Sequence, residues 1–569
     1  MLTKRESGIL MPLSSLPGGY GIGSLGAPAR RFVDFLVRAG QAVWQILPVG
    51  PTGYGDSPYQ SCSAFAGNPY LIDLDLLAAD GLLARADYAF LDWGDDPQRV
   101  DYGLLYQKRM TVLRKAFHNF LGRRPLPGCN TPYPDEWYAF IFRSDSWLPD
   151  YCLYMSLKQQ FGMKDWQQWP REYRLRDPKA MEQFREENAD ELLFWAFVQY
   201  EFDRQWQSLK RYANTRGIRI MGDVPIYVAA DSADAWTGGK LFEMDADGRP
   251  RRVAGCPPDY FAEDGQLWGN PLYDWNYHRH TGYAWWIRRV RHALSIYDIL
   301  RIDHFRGFDT YWAIPADAET ARSGKWEKGP GMDLFRALKT ALGDLPIVAE
   351  DLGELFDSVR ELLAESTFPG MKVLQFALDG TDNEYLPHNY PRNSVCYPGT
   401  HDNDTLKGWW ETGATLQQQE QLTGYLALTE QEGILRGILR GVLASPSLLA
   451  IIPMADWLGL GSEARMNTPG KAAGNWQWRA ADNALTTELA AEIRAMTARY
   501  FRTRPVKKPA AEAPDAAADK APDAAAKPAN PAATPADKGS AQAGTPMAPA
   551  AGEPKKLQRN APKSPKIDE

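Results

Sequence analysis

Short apolar runs bounded by turn residues recur along the chain. They fall at 8–11, 42–47, 218–223, 299–303, 347–350, 373–376, 394–397 and 448–453. Runs of this length and composition read as buried strands. Between several of them the apolar positions switch to helical spacing. The stretches 29–38 and 332–342 are the clearest, and they stop at Gly40 and Gly343, where a helix ends readily. Strands alternating with helices in this way predict an α/β fold, a (β/α)8 TIM barrel. The second and third strands stand far apart. The intervening 73–212 carries helical patterns, among them 106–117 and 191–202, and predicts a large helical insertion subdomain. A second insertion, 231–276, follows the third strand. Insertions in barrels grow from the loops, and those on the catalytic face shape the substrate groove. Residues 1–503 therefore read as one catalytic domain.

The pattern fails near the C-terminus. The segment 504–569 has no aromatic residue, is dominated by Ala, Pro, Lys and Asp, and nearly repeats itself at 513–518 and 521–526. It cannot bury enough apolar area to offset its ordering entropy, so a disordered tail is expected. No motif in it names a partner.

Composition narrows the function classes. The charged fraction is 24% and the formal net charge −7, which does not indicate a nucleic-acid partner. The 20 Trp and 26 Tyr fit either a large aromatic core or platforms for sugar rings. Cys62, Cys129, Cys152, Cys256 and Cys396 are odd in number and lack C-x-x-C spacing. Neither a zinc site nor a disulfide framework is suggested, and a reducing compartment fits. The N-terminus has no secretory apolar region, and no run is long enough to span a membrane. A cytoplasmic protein with no membrane partner is expected.

Three acidic residues sit just after apolar runs. Asp303 ends the run 299–303 with Arg301 and His304 beside it. Glu350 follows Ile347-Val348-Ala349, and Asp402 stands in His401-Asp402-Asn403-Asp404. Barrel enzymes keep their chemistry at the C-terminal ends of the strands. Paired carboxylates there suit sugar-bond chemistry. Arg301 would favour the charged form of Asp303, and an apolar pocket would raise the pKa of Glu350, as a general acid requires. Any one of these acids could instead cap a loop or pair with an Arg; all three in such contexts fit that explanation far less well. His304, His401, Asp303 and Asp402 could in principle ligate a divalent ion, but no His-x-His or His-Glu-x-x-His spacing occurs. No metal and no cofactor is expected. The loop 53–61 reads as a Gly/Pro turn or as a sugar-binding loop.

Seven blocks carry a family resemblance. They are Gly55-Asp56-Ser57-Pro58-Tyr59-Gln60-Ser61 with Gly67-Asn68-Pro69-Tyr70; Gly222-Asp223-Val224-Pro225; Gly269-Asn270-Pro271 with Tyr273-Asp274-Trp275; Arg301-Ile302-Asp303-His304-Phe305-Arg306-Gly307; Ala349-Glu350-Asp351-Leu352-Gly353; Gly399-Thr400-His401-Asp402-Asn403; and Glu463-Ala464-Arg465-Met466-Asn467-Thr468-Pro469-Gly470 through Gly474-Asn475-Trp476. In this order, over about 7–500, the chain resembles the 4-α-glucanotransferases of glycoside hydrolase family 77. The resemblance implies a retaining double displacement, with malto-oligosaccharides and α-1,4-glucans as donor and acceptor. It makes Asp303 the nucleophile, Glu350 the acid/base and Asp402 a third carboxylate that grips sugar hydroxyls. It places Tyr59, Asp223, Arg301 and His401 around the reacting sugar, with His304 and Asn475 as further contacts. The stretch 259–268 is similar to the family's mobile loop on the acceptor side, and brings Tyr260, Phe261, Gln266 and Trp268 to the substrate. Such a lid excludes water and favours transfer over hydrolysis. Ala455 stands where many relatives have Gln, and the tail lies outside the family's pattern. A related α-glucan hydrolase and a non-catalytic glucan-binding protein are the competing readings.

Overall fold

The computed structural model describes residues 3–53, 55–122, 133–258, 263–353 and 355–504. Its strands in chain order are β1 (Glu6–Leu10), β2 (Val43–Gln45), β3 (Arg219–Pro225), β4 (Arg252–Cys256), β5 (Gln266–Pro271), β6 (Ile299–Asp303), β7 (Thr310–Pro315), β8 (Lys325–Lys328), β9 (Ile347–Ala349), β10 (Gly370–Val373), β11 (Ser394–Tyr397) and β12 (Leu449–Pro453). Eight of them form one sheet in the order β10-β11-β12-β1-β2-β3-β6-β9, with every pair parallel. The two outer strands meet where the Ala349 N–H donates to the Pro369 carbonyl at 2.9 Å, so the sheet is a nearly closed barrel. β1, β2, β9, β10 and β11 are buried along their whole length. That is why Ile347-Val348-Ala349 of β9 reads as a continuous apolar run and not as an alternating one. Gly8 is required where β1 lies between β2 and β12: a Cβ there would meet the Val43 carbonyl and Ile451 Cδ1, both at 2.6 Å.

The sixth barrel strand corrects the sequence reading. It is β10, Gly370–Val373, whereas Leu374–Phe376 forms a 3₁₀ turn beyond it. Lys372 interrupts the apolar run in the sequence. In the fold its stem is buried and its ammonium donates to Glu384 Oε2 at 2.5 Å, so it sits in the strand without cost to the pattern's purpose. Phe376, which draws the expected strand too far, is 41% exposed.

Between β2 and β3 the chain is helical. The long helix Ala189–Thr215 packs against Tyr102–Leu121 and Leu148–Gln160. Its Phe194, Phe197 and Tyr200 join Phe117, Phe120 and Trp137 in one aromatic cluster. Trp44, Trp206, Trp286 and Trp457 are likewise fully buried. Much of the aromatic content is core.

A second sheet is not foreseen by the sequence pattern. Four antiparallel strands in the order β5-β4-β7-β8 join the insertion after β3 to the loop after β6. β8 reads Lys-Trp-Glu-Lys, short and polar, and β7 offers only the short run Tyr311-Trp312-Ala313-Ile314 before Pro315. Arg504, the first residue of the expected disordered tail, is described and pairs with Glu6, whereas 505–569 and Cys129 lie outside the described residues, as do Tyr260 and Phe261.

Candidate active site

Strand register builds the centre of the site. β3 pairs with β6 so that Asp223 lies opposite Arg301 and Pro225 opposite Asp303. Residues two apart on a strand share a face, so Arg301 and Asp303 point the same way. Arg301 Nη1 then donates to Asp223 Oδ2 at 2.5 Å and to Asp303 Oδ1 at 2.9 Å. Burial opposes the Arg301 charge, but Asp223 and Asp303 hold its pKa well above the usual value. Burial lifts Asp223 to about 7, against the pull of Arg301 and with the push of the Asp303 charge. The Asp223 side chain is fully enclosed, whereas that of Asp303 keeps 27% of its surface open.

Glu350 follows β9 and continues its ladder with β6. Its N–H donates to the Ile302 carbonyl, and its own carbonyl accepts from the Phe305 N–H, both at 3.0 Å. The side chain is held by main-chain donors: Oε2 accepts from the His304 N–H at 2.6 Å and Oε1 from the Leu352 N–H at 2.9 Å. His304 has φ +54, a left-handed conformation uncommon outside glycine. That turn directs its N–H at the carboxyl group. Burial first, and then the Asp303 charge, raise Glu350 to about 8. A carboxyl group with this pKa carries its proton at neutral pH, as a general acid must.

The loop after β11 brings His401 and Asp402. Tyr59 OH donates to Asp223 Oδ2 at 2.9 Å and lies 2.8 Å from His401 Nε2. With its hydroxyl hydrogen directed at Asp223, the Tyr59 oxygen is left to accept from His401. This places the histidine proton on Nε2, which also lies 3.3 Å from Asp402 Oδ2. Burial lowers the His401 pKa and keeps the ring neutral. Tyr59 and His401 stack with centroids 5.2 Å apart, and Trp476 leans on both. His401 Nδ1 and Asp223 Oδ1 are buried without a hydrogen-bond partner among the described residues.

The remaining residues singled out from the sequence divide. His304 is half-buried, and desolvation depresses its pKa to about 3. Its ring meets Trp268 edge to face at 4.9 Å, and Trp268 Nε1 donates to Gln266 Oε1 at 3.1 Å. β5 thus brings Gln266 and Trp268 up to the turn that holds Glu350. Asn475 spends its polar atoms on its own loop, accepting from the Thr468 N–H and donating to the Lys471 carbonyl. Sequence reasoning missed Asn467, whose Nδ2 donates to Asp402 Oδ1 at 2.7 Å. Its only signal is membership of the same block as Asn475. Among the described residues, no group of three or more His, Cys, Asp or Glu is gathered as metal ligands.

The arrangement is one open carboxylate paired with arginine, one protonated carboxyl group and a third acid beside them, all at the C-terminal mouth of a parallel barrel. A family model described as 4-alpha-glucanotransferase matches residues 11–486. The 4-alpha-glucanotransferase of Clostridium butyricum is 48% identical over 494 residues, covering 86% of this chain and 100% of that protein. The one from Thermus thermophilus is 47% identical over 501 residues, covering 86% and 98%. An amylomaltase from Streptococcus agalactiae, solved in complex with acarbose, superposes with a TM-score of 0.85 at 43% identity, covering 88% of this chain and 100% of that one. The match runs through every strand that carries the site, and on that ground the chain belongs to glycoside hydrolase family 77, the 4-α-glucanotransferases.

Proposed function

We propose that this 4-α-glucanotransferase moves α-1,4-glucan segments between malto-oligosaccharides by a retaining double displacement, with Asp303, Glu350 and Asp402 in distinct roles. An Asp303 oxygen attacks the anomeric carbon of the donor. Glu350 gives its proton to the departing glycosidic oxygen, and a glycosyl ester forms on Asp303. The acceptor's 4-hydroxyl then attacks the same carbon, Glu350 takes its proton, and Asp303 leaves as carboxylate. Electrostatics supports the change of role. In the free enzyme the Asp303 charge helps hold the proton on Glu350. Once Asp303 is esterified that charge is gone, the Glu350 pKa falls, and the group is ready to act as base. Asp402 grips hydroxyls of the distorted ring, while Arg301, Asp223, Tyr59 and His401 hold the floor beneath it. Trp268 and Gln266 line the acceptor side and keep water from the ester.

The observation that carries this reading is the geometry at the strand ends: a Glu350 carboxyl group held by the His304 and Leu352 N–H groups, beside an Asp303 bound to Arg301. Incubation with maltotriose tests it. A ladder of longer maltodextrins plus glucose, with few new reducing ends, is expected. Steadily rising reducing ends without longer products would make the protein a hydrolase. We also place it in cytoplasmic starch and glycogen metabolism. Supporting this, Cys62, Cys152 and Cys396 are buried free thiols, and no described helix is long and apolar enough to cross a membrane. Activity recovered in an extracytoplasmic fraction would contradict that placement.

A further inference from the structure

Asp402 differs from the other two acids in how it is held. Its side chain is 41% exposed, and among the described residues no lysine or arginine pairs with its carboxylate. Two neutral groups define its orientation: His401 Nε2 at 3.3 Å from Oδ2, and Asn467 Nδ2 at 2.7 Å from Oδ1. The shorter contact comes from a segment 65 residues further on. That segment is laid against the Asp402 loop by main-chain and side-chain bonds together. The Asn467 N–H donates to the His401 carbonyl at 3.1 Å. Arg465 Nη2 donates to the Asp402 carbonyl at 3.0 Å, and its Nε to the Asn467 carbonyl at 2.8 Å. Between them Met466 is buried against the barrel, contacting Ser15 Oγ through its sulfur and taking the Trp476 N–H on its carbonyl. The amide is therefore anchored from behind and aimed at the carboxylate.

We propose that Asn467, braced by Arg465, is the positioning residue that sets the Asp402 carboxylate for the sugar hydroxyls, an inference that rests on the reading of Asp402 given above. The choice of an amide has a physical reason. It fixes one carboxylate oxygen without adding charge, so both oxygens remain strong acceptors for hydroxyl groups. A cation there would compete with the sugar for the same lone pairs. Because the grip tightens on the distorted ring, losing the orientation lowers kcat more than it raises KM.

The test measures maltotriose disproportionation for Asn467→Ala, Asn467→Asp and, as reference, Asp402→Asn. Asn467→Ala is expected to lower kcat about 10- to 100-fold, the span of one hydrogen bond to a charged group, with KM within about twofold. Asn467→Asp is nearly isosteric, so its fold is the safer of the two. Position 467 is faced by Asp402, His401 and Arg465. In the Asn467→Asp variant an ionised carboxylate at this position repels Asp402, whereas a protonated one donates to it. The kcat of Asn467→Asp relative to the parent protein should therefore rise as pH falls. A residue with only a structural role would lower the thermal midpoint and leave a pH profile parallel to the parent's. Parent-like kcat in Asn467→Ala, or a parallel profile in Asn467→Asp, overturns the inference while leaving Asp402 in its role. Full activity in Asp402→Asn removes both.

Discussion

The two ends of the barrel each bury an arginine, and they treat it in opposite ways. At the N-terminal end Arg502 is 0% exposed and, among the described residues, pairs with no carboxylate. Its donors go to five carbonyls, those of Leu443, Glu6, Leu448, Ser445 and Ser447, at 2.7–3.4 Å. Burial lowers its pKa to about 10, yet it stays charged at neutral pH. At the C-terminal end Arg301 is equally hidden but is bound to Asp223 and Asp303. Around it Asp223 and Glu350 sit at about 7 and 8, and two buried polar atoms, Asp223 Oδ1 and His401 Nδ1, have no partner among the described residues. Saturation with neutral carbonyls makes a charge inert. Pairing with Asp223, a group that titrates near neutrality, keeps a charge available for chemistry. One end of the fold stores stability, and the other gives some up for reactivity.

Substitutions separate the two ends most sharply when activity and stability are both read. Asp303→Asn should cost on the order of 10⁴-fold or more in kcat, as loss of a nucleophile does, with glucan binding retained; residual full activity would remove Asp303 from its role. Arg502→Ala should leave kcat of the folded enzyme unchanged and destabilise by about 3–5 kcal/mol, because buried carbonyls lose their donor. Urea unfolding checks this, and an unchanged midpoint would break the comparison.

Glu350→Gln should do the reverse, abolishing transfer while stabilising the fold. The sign follows from the folded-state pKa of about 8 against an ordinary 4.5. Ionising Glu350 in the folded state carries a penalty that grows from pH 4.5 and levels off above pH 8. The variant's advantage should therefore be absent near pH 4 and reach about 2–4 kcal/mol above pH 8, less than the whole shift because the site relaxes around the charge. An advantage that is constant with pH would contradict the electrostatic origin. Smallest of all, Trp268→Ala should raise hydrolysis relative to transfer about three- to tenfold by loosening the wall over His304. Free reducing ends counted against transfer products measure that ratio.

What the sequence reveals and what it hides follow from range. A buried parallel strand is a contiguous apolar run, and the first acid after it marks the strand's catalytic end. Hence 299–303 and 394–397 coincide with β6 and β11, and Asp303 and Glu350 are legible at strand ends. Lys372 hides β10 because a buried ammonium pair looks polar in one dimension. β8 carries no apolar run and β7 only a short one, and their pairing in a second sheet depends on β4, a neighbour for β7, which in turn pairs β8. The grip of the His304 turn on Glu350, the Asn467 amide and the Arg502 clasp are contacts across tens to hundreds of residues. No local pattern encodes them, although the block containing Asn467 is visible as a motif.

The most direct test of the account is a titration of the Glu350 carboxyl group, by isotope-edited infrared or NMR, in the parent protein and in Asp303→Asn. An apparent pKa near 8 that drops when the Asp303 charge is removed is the expected result. A value in the ordinary carboxylate range, or one that does not move in Asp303→Asn, would contradict the claim that burial and a neighbouring charge hold the catalytic proton.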